Sequence, residues 1–363
     1  MPVTSPLHAA ISGAASVGLG VGAALLFEGA GMPLPWMLGP LFLFAMLSLT
    51  GMGPTGRGKG LRLGLPVGLR VVFVPVIGVM IGARITPDIA TEVARWWPSL
   101  LIVVPYMVVV QLINAAILRR LGGYDRPTAF FAASPGGLVE AVLIGEANGG
   151  NGPLMSMQHF ARLTLSVSVI PLLLSLEMGQ PVGVVPPDDS LASGIEGIFD
   201  VLLMAAAGVA GVYLGRGLHI PAAIMLGPLL LSAIIHATGM TEAQIPDALL
   251  KAAQLVIGTT LGARFAGPST RDLLRGLGLA VLALGFSLSV ALGLAVMTAG
   301  LGLAEAEVAF IAFAPGGLIE MGLIAIALDA DPVFVATHHV MRIGLAVTIA
   351  PWLYRMLHAR PRG

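Results

Sequence analysis

The chain has 363 residues, no cysteine and a formal net charge of zero; 56% of its residues are hydrophobic, 10% are charged, and its mean hydropathy is +0.93. A soluble domain carries about 25% charged residues, so the composition excludes a soluble enzyme or binding module. The missing cysteines exclude a disulfide framework, a thiolate metal site and a cysteine nucleophile, and neutrality removes any global pull toward nucleic acid.

In chain order, "MPVTSPLHAAISGAASVGLG" lacks a basic leader and reads as an uncleaved first span. Apolar segments follow at 8–27, 33–51, 64–83, 99–118, 128–147 and 153–176. A second set falls at 191–214, 221–239, 250–265, 273–299, 307–328 and 333–357. Runs of about 20 apolar residues cross ~30 Å of hydrocarbon as helices. The expected fold class is therefore an all-α polytopic membrane protein, and the 48 glycines and 26 prolines suit it. The polar, proline-rich stretch Glu177–Ser190 separates the sets. It defines a first membrane repeat at 1–176, a linker at 177–190 and a second repeat at 191–363.

The halves repeat. Pro135–Pro171 aligns with Pro315–Pro351 without a gap, matching PGGL, Glu140 with Glu320, His159 with His339, and Arg162 with Arg342. "IGAR" ending at Arg84 matches "LGAR" ending at Arg264, and "MLGPL" occurs at Met37–Leu41 and at Met225–Leu229. Basic loops mark the cytoplasmic side. Those of both halves fall on one side only if each PGG segment enters and leaves on the same face. That predicts inverted repeats of five spans each, plus one re-entrant or broken PGG segment per half, as in many secondary transporters. Both termini are then cytoplasmic and the linker is outside.

The PGG phrases carry the candidate chemistry. Pro and Gly in mid-membrane break a helix, and irregular backbone at that depth survives only inside protein or beside water. Ser134 and Pro135 fit an N-cap and first helical residue. Gly136 and Gly137, with Gly316 and Gly317 after Pro315 in the second copy, leave backbone N–H groups open to an anion; alternatively these glycines permit close helix contact. Glu140 and Glu320 lie about one turn further on in apolar surroundings. Such a carboxylate carries a proton, helps to hold a cation, or pairs with an arginine, for which Arg162 and Arg342 are available. His159 with Arg162, and His339 with Arg342, share a helix face at i,i+3. Arginine can bind an anionic solute bidentately; histidine can accept a proton or bond a carbonyl on a neighbouring helix. Gln111 and Asn114 suit cross-helix bonding, and Trp96-Trp97 after "TPDIATEVAR" suit an interfacial belt. No metal-ligand spacing and no cofactor motif is present.

The paired "PGGL-x-E … H-x-x-R … P" phrases and two "MLGP" hairpins in a 180-residue duplication resemble the AbrB duplication family of bacterial inner-membrane proteins. Some members carry an ammonia monooxygenase label, and the family is linked to regulation of gene expression. The resemblance implies a multi-pass protein of the bacterial inner membrane. Combined with the motifs, it predicts a secondary transporter-like protein with the bilayer as partner. The two arginines point to a small anionic or zwitterionic solute, with proton or cation coupling and no cofactor. The alternatives are a membrane-embedded regulator or sensor without direct nucleic-acid contact, since no basic DNA-binding domain is present, and a monooxygenase, for which the sequence offers no metal-ligand cluster. Glycine-rich faces such as "GAASVGLGVG" also permit a homo-oligomer.

Overall fold

The computed structural model describes residues 6–50, 52, 63–66, 68–85, 89–183, 198–265 and 270–358. The basic loop Gly56–Arg62 and linker residues 184–190 lie outside these. Among the described residues the chain is all-helical, with fourteen α-helices, one 3-10 turn and no strand. In the first repeat the helices are α1 (Pro6–Gly29), α2 (Pro35–Leu49), α3 (Gly68–Gly82), α4 (Ile89–Arg120), α5 (Arg126–Ala132), α6 (Leu138–Ala147) and α7 (Gly152–Met178). The second repeat matches them with α8 (Ile198–Gly217), α9 (Ala223–Ala237), α10 (Asp247–Gly262), α11 (Thr270–Gly300), α12 (Ala306–Phe313), α13 (Leu318–Ala327) and α14 (Pro332–His358). Six helices, α1, α4, α7, α8, α11 and α14, are long and apolar enough to cross a membrane. α2, α3 and α9 are apolar but only 15 residues long. The fold is that of a polytopic helical membrane protein.

Each predicted PGG segment is indeed a broken helix, α5–α6 in one repeat and α12–α13 in the other. Of the charged stretch before Trp96, residues 86–88 lie outside the described residues, and residues 89–95 form the first turns of α4. Glu92 stands in its first turn, where a negative charge complements the helix dipole. The tryptophan pair divides accordingly. Trp96 is buried, edge-on to Phe334 with ring centroids 5.4 Å apart, and Trp97 is exposed.

The chain forms two compact units that do not follow the repeat boundary. One comprises residues 1–90, 171–269 and 322–333; the other comprises 91–170, 270–321 and 334–363. Each unit therefore collects matched parts of both repeats.

In the first unit, α2 packs against α1 and α10, while α9 packs against α8 and α3. Each cluster thus takes its third helix from the opposite repeat. Glycines make these contacts close. β-Carbons on Gly258 and Gly262 of α10 would run into the Met37 and Leu41 carbonyls of α2, and β-carbons on Gly78 and Gly82 of α3 into the Met225 and Leu229 carbonyls of α9. The doubled "MLGPL" phrase is thus the surface that receives the glycines of the other repeat's "GAR" helix. Small residues at such crossings let backbones approach and gain dispersion contacts. α2 and α9 are also entered alike, through the left-handed residues Leu34 (φ 43) and Ala222 (φ 51). That conformation costs a non-glycine residue about 1–2 kcal/mol. At Leu34, fully buried, it is held by a 2.8 Å bond from its N–H to the Val182 carbonyl.

Candidate functional site

The second unit contains both helix breaks and all thirteen predicted site residues. Each break begins where proline removes a backbone donor. Pro135 and Pro315 are buried, and neither starts a helix. Ser134 and Pro135 are accordingly not N-cap and first helical residue. Ser134 is 1% exposed and its Oγ donates to the Gly136 carbonyl at 3.3 Å. The N-cap of α6 is Gly137, in the left-handed conformation (φ 60). The chain stays irregular through both glycines because that reversal is open to glycine at little cost. In the second copy Gly316 N–H turns back onto the Ala314 carbonyl at 2.8 Å, and the Gly317 carbonyl accepts the first bond of α13 from Met321 N–H at 2.9 Å.

In both copies the glutamate side chain folds back toward the glycine that precedes its half-helix. Glu140 Oε2 is 3.1 Å from where a β-carbon on Gly137 would stand, and a β-carbon on Gly317 would overlap Glu320 Oε2. Each carboxylate, at the third helical position, thus stands beside the glycine at the start of its half-helix. It places negative charge on the positive end of each half-helix. Glu320 is 4% exposed, and Glu140 is half-buried.

The His–Arg pairs are mirrored closely. His159 Nε2 lies 3.1 Å from the Phe131 carbonyl and His339 Nε2 lies 3.1 Å from the Ile311 carbonyl. A carbonyl only accepts, so each Nε2 carries the proton and each Nδ1 is an acceptor. Arg162 Nη2 donates to His159 Nδ1 at 3.0 Å, and Arg342 Nη1 stands 3.3 Å from His339 Nδ1. Both ring nitrogens are thus engaged, and the histidines act here as spacers between a helix end and a guanidinium.

The arginines differ in their remaining partners. Arg342 Nη1 donates to the Ala314 carbonyl at 2.5 Å, and its Nη2 donates to the Pro135 carbonyl at 2.6 Å. One guanidinium therefore braces both breaks. Arg162 Nη1 reaches the Ala133 carbonyl at 3.5 Å, and the counterpart of the Arg342 brace is made by Ser166, whose Oγ donates to the Pro315 carbonyl at 2.9 Å. The hydrogen bonds of both arginines go to carbonyls and histidines. Both Nε atoms are buried without a hydrogen-bond partner among the described residues. Tyr106, whose hydroxyl donates to the Phe313 carbonyl and whose ring lies 5.9 Å from the Arg342 guanidinium, completes the surroundings.

Sequence reasoning passed over Ser166 and Tyr106. A hydroxyl within an apolar span was their only signal, and it does not separate a brace from packing glue. Gln111 donates to the Phe130 carbonyl at 2.5 Å and Asn114 to Ser287 Oγ at 2.9 Å, both in the cross-helix role expected of them. His338, next to His339, bonds a different element, with Nε2 3.0 Å from Ser99 Oγ. Among the described residues no group of three or more His, Asp or Glu is placed to hold a metal ion.

Long apolar helices in two matched repeats, with paired helix breaks braced inside the second unit, define a polytopic helical membrane protein. The family description "Transition state regulatory protein AbrB" matches residues 55–358, and the chain belongs to the AbrB family. It is similar to "Uncharacterized protein YhjN" of Bacillus subtilis (strain 168), 25% identical over 350 residues, covering 90% of this chain and 88% of that protein. It is also similar to "Putative regulator AbrB" of Escherichia coli (strain K12), 23% identical over 333 residues and 90% of each chain.

Proposed function

We propose that the chain is a secondary transporter-like protein of the bacterial inner membrane that moves a small anionic solute through a site at the two PGG breaks. The observation that carries this reading is the pair of buried guanidiniums, each with an Nε–H lacking an acceptor among the described residues, in the unit that holds two half-helix starts with a glutamate beside each. An anion supplies the acceptor those donors lack. The glutamates then act as internal competitors. An ionised Glu140 or Glu320 covers its half-helix end; on taking up a proton or a cation it gives up that hold, and the solute anion takes its place. Anion and proton or cation thus move together.

In this reading the repeats are inverted, both termini are cytoplasmic and the linker is outside. Asp188→Cys in the cysteine-free chain then reacts with an impermeant maleimide from outside only; labelling from the cytoplasmic side alone overturns the orientation. Transport is tested in proteoliposomes with an imposed pH gradient and a panel of small carboxylates and inorganic phosphate. Uptake of one anion that collapses when the gradient is dissipated is expected. No uptake of any anion, with the protein folded, overturns the proposal. It would favour the regulator reading that the name of the Escherichia coli relative carries.

A further inference from the structure

The second unit has another polar feature, and the duplication does not repeat it. A hollow of about 480 Å³ is bounded by Leu112, Arg119 and Arg120 of α4, Arg126 and Phe130 of α5, and Leu357 of α14. Positions 112, 115, 116 and 119 form one stripe along α4, apolar for about 10 Å at 1.5 Å per residue and then cationic. The three arginines are exposed. The neighbouring Asp125 is occupied in capping α5, its Oδ1 accepting from Thr128 N–H at 2.7 Å.

A basic loop next to a span is ordinary in a membrane protein, so the comparison with the second repeat matters. A shift of 180 residues takes Phe130 to Phe310 and Ala129 to Ala309, but takes Arg119, Arg120 and Arg126 to Ala299, Gly300 and Ala306. The apolar positions on α4 and α5 are kept, Leu357 pairs with Glu177, and all three positive charges are gone. The cationic rim is therefore no part of the duplicated core, and in the inverted reading it lies on the cytoplasmic side, where basic residues gather.

We propose that this hollow binds an anionic phospholipid, its phosphate among Arg119, Arg120 and Arg126 and an acyl chain along the stripe ending in Leu112. The ligand must combine a negative head with an apolar tail, because the hollow does. The arginines close the membrane-crossing window of α4, which ends at Arg120, the depth at which headgroup phosphates lie. The site reaches the core through α5, since the Phe130 carbonyl accepts from Gln111 and the next carbonyl, of Phe131, accepts from His159.

The test is native mass spectrometry of the full-length protein in detergent, titrated with phosphatidylglycerol or with phosphatidylcholine of the same acyl chains. Roughly a tenfold preference for the anionic lipid is expected from three nearby arginines. The triple variant R119Q/R120Q/R126Q loses the preference and R119K/R120K/R126K keeps most of it. The control Arg216→Gln, a change outside the hollow, leaves it unchanged. Should the triple glutamine variant not fold, Arg126→Gln alone reduces the preference by about two- to threefold. A preference that survives the glutamine changes, falls equally in Arg216→Gln, or disappears when inorganic phosphate competes at millimolar concentration overturns the proposal. The last result would mark a free-phosphate site. None of these readouts involves transport.

Discussion

Glu320 and Gly317 are three residues apart, and the consequence of that spacing differs between the two copies. At Gly317 a β-carbon meets only the carboxylate of Glu320 and, at 3.3 Å, the end of Leu163. Both are flexible, so Gly317→Ala should displace the carboxylate while the fold survives. At Gly137 the left-handed φ of 60 adds a backbone cost of about 1–2 kcal/mol. Gly317→Ala is expected to impair transport as strongly as Glu320→Gln with a melting temperature close to that of the parent, whereas Gly137→Ala melts lower. Normal transport in both Gly317→Ala and Glu320→Gln would remove the second glutamate from the mechanism. The arginines are unequal for a similar reason. Arg342→Leu strips two carbonyls of short bonds, at about 1–3 kcal/mol for each buried group left bare; Arg162→Leu strips one long bond to a carbonyl and one bond to a histidine. Thermal unfolding in detergent should show Arg342→Leu as the less stable variant. Arg342→Lys should not rescue it, because an ammonium lacks the planar fork that spans Ala314 and Pro135. The sequence marked both arginines and their i,i+3 histidines. It could not show that carbonyls, rather than glutamates, hold the guanidiniums, because a broken helix's bare carbonyls leave no trace in residue identity.

Helix breaks and helix lengths were legible because Pro-Gly-Gly acts locally. The partners of the helices were not. In a soluble protein an apolar stripe points to a core; in a membrane span nearly every face is apolar, and a lipid tail satisfies it as well as a neighbouring helix does. "MLGPL" and "GAR" were visible as repeated phrases, but that one receives the other across the repeats is a matter of glycine clearance. Gly258 against the Met37 carbonyl and Gly78 against the Met225 carbonyl leave no room for a β-carbon, and a backbone carbonyl cannot swing aside. Gly258→Ala and Gly78→Ala should each destabilise by about 1–3 kcal/mol through overpacking. Gly22 in α1 has nothing within 4 Å of its β-carbon position. Gly22→Ala should therefore be neutral or stabilising by up to about 1 kcal/mol, the ordinary effect of removing a glycine from a helix interior. Equal melting temperatures for Gly258→Ala and Gly22→Ala would show that the α2–α10 contact does not hold the unit together.

At the scale of the whole chain, each compact unit is assembled from both repeats. In the first unit α2 is covered by α10 and α9 by α3. In the second the Pro135 break is braced by Arg342 and the Pro315 break by Ser166. A first repeat made alone would lack the glycine surface of α10 on α2 and the guanidinium that ties its own break, and a second repeat alone would lack α3 and Ser166. Irregular backbone left unbraced in hydrocarbon costs several kcal/mol per bare group. The chain cut in the linker, at residue 184, should therefore give two fragments that are each degraded or aggregated when expressed singly. Co-expressed, the two should co-purify through a tag on either one and recover the melting temperature of the intact protein to within several degrees. Arg342→Leu in the second fragment should weaken that association, because the brace it removes runs from one fragment to the other. Should each fragment fold and stay monomeric alone, the interleaving would be a feature of the assembled chain only, and the repeats would be independent modules after all.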